Sequence, residues 1–164
     1  MKHLIALITL SLMSWTASAL EHPAWTCGME FQGKSAGIKV IIGSFKTVAR
    51  GTMNCTDAHG NHYAQPVKLT MGTSFLSPSI GIGAFEFKGV AGEVSLFNCG
   101  PASLLGHYVV ARGQGAIIGG VGVFTAAKVN APEMSLMISL QLLHGLGFDL
   151  GFTDMKIEAI NPLM

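Results

Sequence analysis

The chain has 164 residues, of which only 12% are charged and 21 are glycine, with a formal net charge of +1. Nucleic-acid binding rests on many phosphate-neutralising Lys and Arg side chains, so this composition argues against it. A chain so poor in charge must close tightly on an apolar interior or keep an apolar surface in contact with something apolar.

The first 19 residues read as a secretory signal peptide. Lys2 and His3 open it, Leu4 to Met13 forms an apolar run, and Ala17 and Ala19 stand at the small-residue cleavage positions. The run is too short for a bilayer-spanning helix of about 20 apolar residues. Cleavage after Ala19 leaves residues 20–164 as one domain, with nine basic and nine acidic residues. Cys27 follows Ala24, Trp25 and Thr26 rather than a lipobox, so the expected location is periplasmic or secreted without a lipid anchor. The lead-in Glu21 to Trp25 is read as poorly ordered. In an oxidising compartment Cys27, Cys55 and Cys99 allow three single pairings. Cys27–Cys55 is preferred, because the segments around them can pair as neighbouring strands, and Cys99 is left over.

Period-two alternation dominates from there on, the mark of strands with one buried face. In Ile38 to Cys55 the apolar residues sit on even positions (Ile38, Val40, Ile42), then on odd ones (Phe45, Ala49, Met53, Cys55). A phase slip of one residue at a glycine is what a β-bulge produces, so a bulge or sharp bend is expected at Gly43. Two strands joined by a tight turn there are the alternative.

The polar run Asn54 to Tyr63 holds Asp57, His59 and His62, whose side chains could ligate zinc or copper. Gly60-Asn61 reads instead as a hairpin turn, so these three are weak metal candidates and no cofactor is expected. Val67, Leu69 and Met71 then share one strand face, as do Phe85 and Phe87.

The phrase "GIGAFEFKGVAGEVSL" (81–96) returns as "GVGVFTAAKVNAPEMSL" (120–136). Glycines weaken strands, so their repetition needs a reason, and bends at the corners of a small barrel supply one. Each copy is read as strand, turn and strand. Turns are expected at Asn61, Pro78, Gly89 and Asn130, giving seven to nine strands. Between the copies Asn98 is a possible cap and Pro101 a first-turn residue of one short helix ending at Gly106. The fold class is therefore all-β and mainly antiparallel: a small closed or nearly closed β-barrel with one short helix.

In the last stretch Phe148, Leu150 and Phe152 oppose Asp149 and Thr153, and Met155 and Ile157 oppose Lys156 and Glu158. The interior set is taken as Phe85, Phe87, Leu96, Phe124, Leu136, Ile138, Phe148 and Phe152, lining a core or a pocket for lipid or another apolar ligand. No catalytic signature stands out. His107 and His144 are isolated, Glu93 and Glu133 read as solvated strand positions, and Gly113 to Gly120 lacks the Lys-Ser/Thr of a phosphate loop. An outer-membrane barrel of eight strands fits the length. Against it, Trp25, Tyr63 and Tyr108 are too few for two aromatic girdles, and the chain ends without a terminal aromatic strand.

Pro78-Ser79, Gly81-Ile82-Gly83, Val94 to Phe97, Leu104-Leu105 and Gly119 to Gly122 occur in an order that resembles glycine-rich bacterial envelope proteins. These are the SYLF-type lipid-binding domains and related small periplasmic barrels. The likeness covers roughly residues 66 to 152 and lacks the helical N-terminal part of the SYLF pattern. It implies an envelope role, lipid binding and no catalysis. The expected function is thus a non-enzymatic exported envelope protein that binds lipid or another apolar ligand. The alternatives are a solid-core structural or partner-binding protein, or a small outer-membrane barrel.

Overall fold

A computed structural model describes residues 23–40, 42–72, 79–117 and 120–161; the side chains of 42–43, 115–117 and 142–143 are outside the description, as is the expected signal peptide. The strands are β1 (Trp25–Val40), β2 (Ile42–Asp57), β3 (His62–Met71), β4 (Ser79–Leu96), β5 (Gly106–Ile117), β6 (Gly120–Lys128) and β7 (Ala131–Ala159). All pairings are antiparallel.

β7 is long enough to serve as two staves. Its first arm pairs with β6 from Ala131 to Leu142, and its second pairs with β5 from Leu146 to Ile157. β4 runs beside both arms, and β3 joins the far end of the second, from Met71↔Met155 to Val67↔Ala159. Counting the arms separately, eight staves close into a ring, unevenly barrel-shaped, in the order β1-β2-β3-β7 (second arm)-β5-β6-β7 (first arm)-β4. Among the described residues every strand has a neighbour on both sides over part of its length, so closure leaves little edge for another strand to pair with.

The ring is possible because β7 turns past β4 at close quarters. Gly83 and Gly147 are register partners with φ of +127° and +152°, a region that L side chains rarely adopt. A Cβ on Gly83 would land on the Leu146 carbonyl oxygen, and one on Gly147 on that of Ile82. Gly83 of the first copy and Gly147, which lies beyond both copies, therefore serve a close approach of two backbones.

Several expectations need correction. The β1–β2 ladder runs unbroken from Val40↔Ile42 to Trp25↔Asp57, so there is no bulge at Gly43, and Ile38 to Cys55 belongs to two strands, as the alternative had it; residue 41 lies outside the described residues. Odd positions point inward on both strands, and Ile38 and Val40 point outward. Gly89 is not a turn. β4 passes straight through it, and the missing side chain makes room for the Phe31 ring and Leu140. The first copy of the phrase is thus one strand, whereas the second is the expected hairpin, β6 to β7 through Val129 and Asn130. The expected turn at Pro78 lies outside the described residues. The short helix is a single 3-10 turn, Pro101–Leu104, preceded by Gly100 rather than capped by Asn98. Trp25 is not a loose lead-in but opens β1, with its ring edge-on to Tyr63.

The strongest correction concerns β7. Leu136, Ile138 and Leu140 point inward on even positions. The ladder with β4 then shifts between Phe87↔Leu142 and Glu86↔His144, leaving residue 143 without a partner on that strand. This extra residue flips every later side chain. Asp149, Thr153, Met155 and Ile157 consequently face the interior, while Phe148 and Phe152, expected inside, face out.

Candidate functional site

The barrel divides into two halves of opposite character. In the half nearer the 3-10 turn the interior is apolar. Met29, Phe31, Met53, Val67, Leu69, Phe87, Leu96, Phe124, Leu136, Ile138 and Ile157 pack there, with Phe85 at the boundary. Leu104 and Tyr108 close its mouth, the Tyr108 hydroxyl donating to the Leu104 carbonyl at 2.7 Å, and burial pushes that phenol up to about 12. The Cys27–Cys55 disulfide joins register partners of β1 and β2 in the same half. A disulfide is compatible with an oxidising, exported environment. Cys99 stays reduced and half-buried.

In the other half polar and charged side chains share the interior with Phe45. The buried residues there include Lys39, Thr47, Ser35, Ser79, Arg112, Gln114, Asp149 and Thr153. Arg112 Nε lies 2.8 Å from Asp149 Oδ2, with both side chains wholly buried. Gln114 donates to the same oxygen at 3.1 Å, and Ser35 and Thr47 share a hydrogen bond of 2.7 Å. The Arg112 guanidinium also stands 5.6 Å from the Phe45 ring centroid, within cation–π range. The Arg112–Asp149 contact is ionic rather than a well-aligned hydrogen bond, and both Nη atoms lack hydrogen-bond partners among the described residues. Burial pushes the Asp149 carboxyl up to about 6, against the pull of Arg112, the Gln114 hydrogen bond and Lys39. Burial likewise lowers Arg112, against Asp149 and Asp154. Charged side chains from β1, β5 and β7 thus meet in the middle of the barrel.

The outer surface over this polar interior is apolar. Leu146, Phe148, Leu150 and Phe152 are 65%, 49%, 64% and 56% exposed. Strand register sets them beside their neighbours in rows: Val40–Ile80–Leu150, Ile38–Ile82–Phe148 and Ala36–Ala84–Leu146. On the far side Ala111 and Gly113 of β5 pair with Phe152 and Leu150, and Val121 and Val123 of β6 are exposed beyond them. The patch therefore wraps from β1 to β6 but not around the whole ring. The outer positions of β2 and β3 carry Ser44, Lys46, Arg50, Lys68 and Thr70.

The expected ligand-binding residues are accordingly split. Phe85, Phe87, Leu96, Phe124, Leu136 and Ile138 are packed in the core, and Phe148 and Phe152 belong to the outer patch. Reading the sequence missed Ile38, Val40, Ile80, Ile82, Leu146 and Leu150 as outward residues, and Arg112 with Asp149 as an interior pair. One signal was present. Lys39 sits between Ile38 and Val40, and Asp149 between Phe148 and Leu150, but alternation does not say which face is inside.

The three metal candidates build a turn. Asp57 Oδ1 accepts from the His59 and Asn61 backbone N–H groups, each at 2.8 Å, and Oδ2 accepts from the Asn61 side chain at 2.8 Å. These bonds hold the Asp57 carboxyl below its usual value, with Asn61 contributing most. His62 Nδ1 contacts Thr56 Oγ1 at 3.1 Å, away from that carboxylate. Glu93 and Glu133 are exposed, on β4 and β7. No described helix is long and apolar enough to cross a membrane. No family model matches the chain, and no curated protein or solved structure matches it.

Proposed function

We propose that this is a non-enzymatic, exported envelope protein that docks on membrane lipid through the apolar outer face of its polar-cored half. The observation that carries this reading is the inversion itself. In water a strand turns its apolar side inward, because each buried aliphatic or aromatic side chain contributes about 1.5–3 kcal/mol. Leu146 to Phe152 do the opposite around a buried ion pair. That arrangement is economical only where the surroundings at this height are themselves apolar. A lipid bilayer fits better than a second protein. The patch wraps several staves of a closed ring and is therefore convex, and two rigid convex surfaces meet along a line, whereas a fluid bilayer conforms.

Lipid is met on the outside of the barrel, not in a central pocket. From Ala36 to Val40 on β1 and from Leu146 to Phe152 on β7 the apolar rows reach about 10–15 Å along a barrel axis, given strand tilts of about 35–45°. This is at most one leaflet of a hydrocarbon core about 30 Å thick. The polar outer positions of β2 and β3 also leave the belt incomplete, so the reading is insertion into one leaflet rather than a spanning barrel. Export to an oxidising compartment is part of the same proposal, supported by the disulfide and the signal-like start of the sequence.

Flotation with phosphatidylcholine vesicles tests it. The disulfide-bonded protein should rise with the vesicles, and the Phe148→Ser, Phe152→Ser double variant should stay in the aqueous layer while retaining its fold by circular dichroism. A wild-type protein that remains at the bottom of the gradient, or a double variant that floats equally well, would overturn the proposal.

A further inference from the structure

Directly beyond the three apolar rows, the outer face changes to a row of Lys34 and Glu86, joined by an ion pair of 2.6 Å and flanked by Val48 and His144. The next row is Arg50–Gln32–Lys88–Gln141, one residue from each of β2, β1, β4 and the first arm of β7. All four are exposed. They are register partners on adjacent strands about 4.8 Å apart, so Arg50 and Lys88 start about 10 Å from each other across Gln32. Between β2 and β4 this part of the surface is an open trough of about 590 Å³, whose lining includes Arg50, Gln32, Lys88 and Glu30 together with the apolar Phe31 and Val90. Lys34 is neutralised by Glu86. Among the described residues, neither Arg50 nor Lys88 takes part in an ion pair.

We propose that the Arg50–Gln32–Lys88 row is a headgroup site for anionic phospholipid, holding the phosphate of a lipid whose acyl chains lie against Ile38, Ile82 and Phe148. The inference rests on the docking reading and adds the chemical class of the lipid.

Three features converge on it. The first is depth. Gln32 lies four residues along β1 from Ala36, the last apolar row, which is about 10 Å along the axis at the tilt of a barrel strand. With Lys34 midway, the two polar rows start about 5 and 10 Å outside the apolar boundary; a bilayer has a headgroup layer of about 5–8 Å there, and the long Arg50 and Lys88 side chains can bend back into it. The second is charge. A basic residue near an anionic membrane surface is worth roughly fivefold in binding. Lys34, Lys46, Arg50 and Lys88 supply four positive charges on this border against Glu30 and Glu86. The third is shape. The Arg50 guanidinium presents a fork of donors matched to phosphate oxygens, the Lys88 ammonium a point charge, and the Gln32 amide a further donor between them.

Binding to vesicles of phosphatidylcholine alone, compared with vesicles in which a quarter of the lipid is phosphatidylglycerol, tests this. Wild-type protein should prefer the anionic vesicles by roughly tenfold at low salt. The Arg50→Gln, Lys88→Gln double variant should lose that preference yet bind phosphatidylcholine as wild type does. A control removing the same charge elsewhere, Lys68→Gln with Lys156→Gln, should keep the preference. Equal wild-type affinity for both vesicles, retention of the preference in the Arg50, Lys88 variant, or an equal loss in the control would overturn the headgroup site while leaving lipid docking intact. Binding to neither vesicle by the wild type would overturn docking and the headgroup site with it.

Discussion

The two halves of the barrel share strands, hydrogen-bond ladders and alternation, yet one buries an apolar core and the other buries an ion pair and further polar groups beneath an apolar outer patch; single apolar side chains such as Val90, Val109 and Met137 are exposed on the first half as well. Phe124 and Phe148 make the contrast concrete. Phe124 on β6 has none of its surface exposed and packs within the core, whereas Phe148 on β7 is half exposed above a buried aspartate. The lesson is that an amphipathic strand pattern reports two faces without orienting them. Orientation follows from what surrounds each face, and a single barrel can answer that question differently at its two ends.

The contrast can be tested by substitution. The largest effect is expected for Phe124→Ala, which removes a fully buried ring and leaves a cavity; it should cost about 3–5 kcal/mol in chemical denaturation. A cost under 1 kcal/mol would mean that this half is not a packed core.

An intermediate effect is expected from pH. Asp149 has its carboxyl raised to about 6 in the folded protein, against 3.8 as the ordinary value. Between those values the folded state holds a proton that the unfolded chain has released. The contribution of Asp149 to stability is therefore greatest below about pH 4, declines as the pH rises towards 6, and is level above that. Asp57, Glu86 and Glu158, lowered by Asn61, Lys34 and Lys156 respectively, act in the opposite direction, but they lie at the surface where solvent screens them. Comparing denaturation midpoints of Asp149→Asn and wild type across this range isolates the effect. The difference between the two should change with pH between 4 and 6, and a constant difference would show that the carboxyl does not titrate there.

The smallest stability effect belongs to Phe148→Ala. In water it should lie within about 0.5 kcal/mol of wild type by denaturation, as for surface positions in general. A loss comparable with that of Phe124→Ala would mean that Phe148 is a core residue and that the two halves do not differ.

Much of the architecture was legible in the amino-acid sequence. Alternation at Val67 to Met71 and at Phe85 to Phe87 and the turns at Asn61 and Asn130 reported local geometry, and local geometry is written in consecutive residues; the pairing of Cys27 with Cys55 was legible because their flanking segments read as neighbouring strands. The misreadings at Gly43, Gly89 and Phe148 have a common origin. In each case the apolar member of an alternating pair was assumed to be the inner one, or a glycine was taken as a bend. At Gly89 the glycine makes room for Phe31 and Leu140, neighbours supplied by β1 and β7. At Phe148 the face was set by an unpaired residue in the β4–β7 ladder five positions earlier.

By itself the sequence determined that this chain forms strands, that they are amphipathic, and that glycines let them bend and pass close to one another. Only the tertiary structure decided which face of each strand looks into the ring, because that depends on register between segments as distant as Glu86 and His144. It alone brought Arg112 to Asp149 and lined up Arg50, Gln32 and Lys88 across three strands, since hydrogen-bonded pairing, unlike alternation, joins residues with no nearness in the chain.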